Sequence, residues 1–345
     1  MSREAGRRPV RISDVAAAAG VSKALVSYAL NDRPGVSEST RAHIAAVARS
    51  MGWTPSVRAR SLSSNRAYAI GLVFEISVEA LASDEWVMSF MAGMQSVLAA
   101  AQYALVTEVV ADSATEIAAY SQLARDGRID GIVLMDPQRD DRRMAMLDDL
   151  GLPYVSLGPT ARPTDMPVLV YDEAPAITAV VDHLVGLGHR RIAQVCGPQT
   201  TPSASLRRRL YQRALEAHGV DGGWWIESDY TAPGGRNATT MLLADPDPPT
   251  AVIYSNDIMA IGGMSGAINA GLRVPDDLSV VGWDGITVAQ YLHPALSTVS
   301  QHPYEDGRTA ASVLLEAIEG RRFQQTVSTA DPTFVPRESS ARAPR

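Results

Sequence analysis

The sequence predicts a small all-α head joined to a much larger α/β body, on three observations. Over the first fifty or so residues apolar side chains recur at helical spacing in three short stretches, whereas from Tyr68 onward apolar runs alternate with amphipathic helical patterns. The 345 residues exceed one ordinary core on a prior of about 100 to 200 residues per domain. Charge divides at the same place. Residues 1–66 carry a net +7 and the remainder a net −14, an asymmetry that the overall −7 conceals.

The head is expected to span residues 1–54. Its first helix runs from Ile12 to Ala19 and is stopped by Gly20, which can take the left-handed conformation of a tight turn. Ser22 stands where an N-cap belongs, and a second helix follows to about Leu30. Ser37 caps a third, through Ile44, Val47 and Met51, with Gly52 as its stop. Val15, Val21, Val26 and Leu30 then close over Ile44 and Val47. That leaves Lys23, Ala24, Ser27 and Tyr28 on the outer side of the second helix. A slim helix with a mixed polar face, carried on a basic head, suits the major groove of DNA.

Residues 55–66, beginning at Pro55, are basic and too poor in apolar side chains to fold alone, so they read as a linker that becomes helical only on a partner. The body is expected to span residues 67–337, with 338–345 as a tail. Its strand candidates are YAIGLVFE, YALVTEVV, DGIVLMD, PYVSLG, PVLVYDE, RIAQVCG, WWIESD, AVIYSND and LSVVGWD. Apolar strands alternating with helices mean parallel sheets covered on both faces, and their number favours two doubly wound lobes. Ligands of such sheets lie at the carboxyl ends of the strands, so two facing lobes make a cleft there.

Several classes are disfavoured. The basic start has no apolar stretch behind it, and no run reaches the ~20 apolar residues of a membrane helix. A cytoplasmic protein with no membrane partner is expected. The single cysteine, Cys196, excludes a disulfide framework and reads as a small core residue. His183 and His189 flank a helix end and read as packing or capping residues. An enzyme of sugar metabolism is the competing class, with Asp136, Glu227, Asp229 and Asp284 available for acid/base work. No carboxylate pair is marked by a catalytic signature, and there is no phosphate-cradling glycine loop, metal-spaced histidine cluster or nucleophile elbow. No enzymatic activity, no cofactor and no metal are expected. A transport receptor would fit the body and leave the head unexplained.

The head segments DVAAAAGVSKALVSYALN, GVSESTRAHI and WTPSVRARSL resemble the LacI/GalR family of bacterial transcriptional regulators. So do the body segments DGIVL, HLVGLGHRRIAQVCGP, SNDIMAIGGMSGAINAGLRVPDDLSVVGWDG and HPALSTVSQ, so that the resemblance runs over residues 9–337. It implies a helix-turn-helix head and a body like the periplasmic sugar-binding proteins, with crossovers near residues 163–167, 292–296 and 324–328. Lobe 1 would then comprise about 67–164 and 295–325, and lobe 2 about 165–294 and 326–337. It also implies a homodimeric repressor on a palindromic double-stranded DNA operator, controlled by a small-molecule effector, a mono- or oligosaccharide. With no heptad run after Arg337, a dimer is expected in place of a coiled-coil tetramer.

By the same resemblance, Lys23, Ala24 and Tyr28 occupy base-reading positions, with Tyr28 where an arginine is usual. Tyrosine offers one hydroxyl where arginine offers a bidentate fork for guanine, so the operator should depart from the family consensus. Ser22 and Ser27 fix the helix on phosphates. Asn31, Arg58, Arg60 and Ser61 complete the expected DNA contacts, and Leu62 is the apolar wedge of a hinge helix in the minor groove. Arg207, Asn256, Asp284 and Gln301 fall on effector-contacting positions, and Tyr230 on an aromatic one. Asn256 and Asp284 also end strands, which independently points them at the cleft. Trp283, Tyr230 and Trp86 are candidates for a flat face against a sugar ring, and Glu75, Trp86 and Phe90 for the first-lobe lining. Gly158 stands where some sugar-responsive members carry an aspartate.

Overall fold

The computed structural model describes residues 10–30, 34–53, 64, 66–76, 78, 81, 84–221, 224–323 and 326–344. The chain forms two compact units, Met1–Tyr68 and Ala69–Arg345.

In the head, helices α1 (Ile12–Ala19), α2 (Lys23–Leu30) and α3 (Glu38–Ser50) form where the spacing placed them. Gly20 closes α1 at φ 68°, a value that disfavours any residue with a Cβ. The Ser22 hydroxyl accepts the Leu25 N–H at 3.1 Å and Ser37 accepts that of Thr40 at 3.3 Å, so each satisfies a donor that the helix itself leaves open. Val15, Val26 and Ile44 are fully buried, and the alanines around them, Ala16, Ala19, Ala29 and Ala48, let the three helices approach. Arg41 ties α3 to the end of α2 by donating to the Ala29 carbonyl at 2.7 Å.

The body holds two six-stranded sheets. The first comprises β1 (Ala69–Glu75), β2 (Ala104–Val110), β3 (Gly131–Leu134), β4 (Tyr154–Leu157), β5 (Val168–Val170) and β11 (Val327–Ser328), in the order β11-β5-β4-β3-β1-β2 with parallel pairing. The second comprises β6 (Ile192–Cys196), β7 (Trp225–Glu227), β8 (Ala251–Tyr254), β9 (Ser279–Asp284), β10 (Ser297–Ser300) and β12 (Thr333–Val335). Its order is β12-β10-β9-β8-β6-β7, parallel except for β12 on β10. Helices α4 (Glu85–Ala100), α5 (Ser113–Arg125), α6 (Arg142–Asp149), α7 (Ala174–Gly186), α8 (Pro202–Ala217), α9 (Ala232–Leu243), α10 (Asp257–Asn269) and α11 (Pro303–Ile318) cover them. In the first lobe α4 and α11 touch backbone to backbone. A Cβ on Gly93 would lie 1.9 Å from the Tyr304 carbonyl oxygen, and one on Gly307 would lie 2.1 Å from that of Phe90.

The crossings between lobes differ from those expected. Val168–Val170 pairs with β4 and stays in the first lobe, so the chain crosses after Val170 and not at 163–167. Ser297–Ser300 pairs with β9 and remains in the second lobe. The crossing therefore comes at Gln301, after the strand, and not at 292–296. Val327–Ser328 pairs with β5, which moves the third crossing from 324–328 to beyond Ser328. The cause is common to all three. A short apolar run satisfies either sheet equally well, and only the register of its hydrogen bonds assigns it.

Residues 338–344 are likewise no loose tail. Ser339 is fully buried, donating from its hydroxyl to Val280 at 2.6 Å and accepting from Ser297 N–H at 2.8 Å. His183 meets Ser340 at 2.8 Å, and His189 sits between Thr250 and the Ala341 carbonyl at 2.8 and 2.9 Å. The two histidines pack and pin the C-terminal segment to the second lobe. Cys196 is buried, which pushes its thiol up to about 12.

Candidate functional site

Within the head, Lys23, Ala24 and Tyr28 are exposed together on one side of α2, Tyr28 at 44%, while Val26 and Ala29 face the core. Ser27 is half-buried beside them, and Ser22 caps the helix. Asn31, Arg58, Arg60, Ser61 and Leu62 lie outside the described residues.

In the body, the second lobe brings Arg207 to the carboxyl ends of its strands. Arg207 lies in the second turn of α8, a helix started by Thr201 as N-cap and Pro202. Its guanidinium lies over the Trp283 ring, 4.1 Å from the centroid, and is gripped in bidentate fashion by Glu173 at 3.0 and 2.6 Å. A third donor reaches the Ser255 carbonyl at 3.2 Å. Burial opposes the guanidinium charge, but Glu173 more than offsets it, and the Arg207 pKa stands well above the ordinary value. Glu173 was missed in the sequence, where it reads only as the acid closing PVLVYDE. Trp283 is fully buried in the core formed with Val181, Leu184, Tyr211 and Val299. It supports Arg207 from beneath and does not line the cleft as expected.

A second constellation joins the lobes. Trp86, at the start of α4, donates from its indole to Gln301 at 3.1 Å, and Gln301 donates to Asp284 at 3.1 Å. Gln301 lies in the second crossing, so one amide side chain links a first-lobe aromatic to a second-lobe carboxylate. Phe90 stacks under Trp86 at 5.4 Å and is wholly buried, so its place is that of a support and not of lining. Two further bonds close the lobes directly. Thr287 N–H reaches Glu85 at 2.8 Å, and Arg139 N–H reaches the Thr200 carbonyl at 3.4 Å. A cavity of about 340 Å³ adjoins this junction, lined by residues including Trp86, Asp284, Gln301 and Tyr304; Arg207, Tyr230 and Asn256 do not line it.

Asp284 sits at φ 116°, a conformation strained for any residue with a Cβ, and the loop after it is held by another acid. Asp257, fully buried at the start of α10, accepts the N–H groups of Gly285 and Ile286, both at 2.9 Å, and the Thr298 hydroxyl at 2.6 Å. Burial raises the Asp257 carboxyl to about 7 against these bonds. The Asp284 carboxyl also stands well above its usual range, through burial and then repulsion from Asp257 and Asp84, with Arg207 opposing. Asp136 follows β3 in the first lobe. Desolvation raises its carboxyl, Arg143 and Arg207 opposing and Asp84 adding.

Tyr230, at φ 63°, lays its phenol over Gly197, where a Cβ would fall 2.0 Å from the ring. Asn256 departs from its expected role. Its oxygen caps α10 through Met259 N–H at 2.8 Å and its amide donates to the Tyr230 carbonyl at 3.0 Å, so it positions Tyr230 and is 8% exposed. Glu75 ends β1 and is exposed. Among the described residues no cluster of His, Cys, Asp or Glu is arranged to hold a metal ion, and no helix is long and apolar enough to cross a membrane.

Comparison with known proteins agrees with both units. The family model for bacterial regulatory proteins of the lacI family matches residues 11–56, and that for a periplasmic binding protein-like domain matches residues 181–340. The HTH-type transcriptional repressor CytR of Escherichia coli (strain K12) is 31% identical over 336 residues, covering 96% of this chain and 97% of its own. The lac repressor dimer bound to operator and the anti-inducer ONPF superposes with a TM-score of 0.78 at 27% identity, over 97% of this chain and all of that one. The complex of the transcriptional regulator CelR with cellobiose gives 0.72 at 28%, over 96% of this chain and all of that one. With a helix-turn-helix head, two doubly wound lobes and relatives matched along almost its whole length, the chain belongs to the LacI family and is a DNA-binding transcriptional regulator.

Proposed function

We propose that this regulator is a repressor that binds a palindromic operator as a homodimer and is controlled by a small polyhydroxyl effector, a sugar in the simplest case, held between its lobes. The observation that carries the reading is the relay from Trp86 through Gln301 to Asp284 across the two lobes, with Arg207 near enough to Asp284 to act on its carboxyl. A guanidinium with N–H groups still to donate, an accepting carboxylate and an aromatic face suit a ring bearing hydroxyls. The lac repressor structure, a dimer on operator, and the CelR complex with cellobiose support the same assignment. So does CytR, a repressor.

On this reading Lys23, Ala24 and Tyr28 face the bases while Ser22 and Ser27 face phosphates. Tyr230 and Gln301 complete the effector site, with Asn256, Trp283 and Phe90 as its supports. Effector and operator are linked through closure of the lobes, and the shift is limited to the effector's differential affinity, typically about 1 to 3 kcal/mol. The test is a thermal-shift screen of mono- and disaccharides, then operator gel shifts with and without each hit. A stabilising sugar that changes operator affinity is expected. Sugars that neither stabilise the protein nor alter its DNA binding would refute the reading.

A further inference from the structure

The charge of the cleft restricts what can bind there, granting that it is the effector site. Arg207 is its cation, and it is already neutralised. Glu173 occupies two of its five N–H groups and the Ser255 carbonyl a third, leaving one N–H on each terminal nitrogen with no protein acceptor among the described residues. Those two can serve neutral oxygens. Near Arg207 the other ionisable groups are acids from both lobes, Asp284 at the end of β9, Asp136 after β3 and Asp84 at the start of α4, and the adjoining cavity adds Glu85 and Glu305 with one histidine, His302. Arg143, the other arginine within reach of Asp136, is engaged by Glu116 at 2.7 Å and by both oxygens of Asp141 at 2.9 and 2.7 Å. The body has no lysine to add, because Lys23 is the single lysine of the chain.

We propose that Glu173 is a specificity-determining residue of this site. By cancelling the charge of Arg207 it closes the cleft to anionic effectors and leaves it to uncharged or amine-bearing polyhydroxyl compounds. A phosphate or carboxylate entering the cleft meets Glu173 behind the arginine and Asp284, Asp136 and Asp84 around it. Glu173 cancels the attraction that Arg207 would exert, and the three aspartates, whose carboxyls stand above their usual range through burial, supply no positive charge in its place. A hydroxyl meets the same groups as acceptors.

The test compares ligands sharing one skeleton on the full chain, by titration calorimetry and thermal shift. The probes are D-glucose, D-glucosamine, D-glucuronate and glucose 6-phosphate; D-ribose and ribose 5-phosphate; and cytidine and cytidine 5′-monophosphate. For whichever skeleton binds, the anionic member should bind about tenfold or more weakly than the uncharged one. Glu173→Gln should narrow that gap by strengthening the anionic member, which separates charge from bulk, and Glu173→Asp should keep it. A phosphorylated or carboxylated member binding as tightly as its parent overturns the inference and leaves the effector reading standing. So does a gap that Glu173→Gln leaves unchanged. Should Glu173→Gln fold poorly, the wild-type comparison decides alone. Silence from every compound overturns the effector reading and this inference with it.

Discussion

Each lobe buries one arginine near the carboxyl ends of its strands, and the two are used differently. Arg143 in the first lobe donates to Asp141 with two nitrogens, to Glu116 with a third bond and to the Asp136 carbonyl with a fourth, within a shell of two acids. Arg207 in the second lobe has one acid, one carbonyl and an indole face, and keeps two N–H groups open. A saturated arginine fixes structure, whereas one held by a single acid is fixed in place and still able to donate. If that distinction is right, removing a buried group should cost stability according to the charge it strands, and ligand response should follow Arg207 alone.

The largest effect is expected from Arg143→Met. It strands Glu116 and Asp141, whose side chains are 4% and 3% exposed, and should destabilise the body by about 3 to 5 kcal/mol in urea unfolding. Operator binding by protein that remains folded should be unaffected. A loss below 1 kcal/mol would remove the structural half of the comparison.

Arg207→Met strands only Glu173, so its cost should be smaller, about 3 kcal/mol, and the response to effector should vanish. Adding Glu173→Leu should return most of the stability and none of the response. That split is the measurement to make, because a merely structural arginine would recover both.

Legibility in the sequence followed the same division. The head helices and nine body strands were readable because local periodicity and caps such as Gly20, Ser22 and Ser37 determine them. Arg207, Asp284 and Gln301 were singled out by family resemblance, Asp284 by its strand end as well, and Trp86 by the apolar loop that follows the first strand. Glu173 and Asp257 were not, since an acid after a strand is ordinary until its partner is known. Glu173 lies 34 positions from Arg207, and Asp257 lies 41 from Thr298. The same nonlocality hid the crossings, which depend on which sheet a three- or four-residue strand joins. Trp283 was misplaced because β9 alternates faces, so the residue before a cleft-facing aspartate points into the core.

Asp257 extends the comparison to a buried acid with no ion-pair partner among the described residues. Its folded value of about 7 lies above the 3.8 of an ordinary aspartate, so the folded state holds the proton more tightly. Its favourable contribution is therefore complete below about 3.8, falls as pH rises towards 7 and is gone above it. In Asp257→Asn the amide oxygen can still accept from Gly285 and Ile286, and the amide nitrogen can donate to Thr298. Unfolding measured from pH 4 to 8 should show a shallower decline for the variant, which at pH 8 should equal or exceed the parent by on the order of 1 to 3 kcal/mol. Without the Asp257 charge Asp284 should ionise more readily, since Asp257 is among the groups that raise it.

The smallest expected effect comes from a neutral group. Asn256→Ala removes the cap of α10 and frees the Tyr230 carbonyl but strands no charge, so the loss should be about 1 kcal/mol, the usual magnitude for a missing cap. What it should change is position. Tyr230 is held at a left-handed φ over Gly197, and its carbonyl bond to Asn256 is a tie that restrains it there. Effector affinity should therefore fall by more than the stability loss alone explains, with protein far from its melting range as the control. Were affinity unchanged at a stability cost near 1 kcal/mol, Asn256 would be a helix cap and nothing more, and the positioning role would pass to the packing of Tyr230 against Gly197.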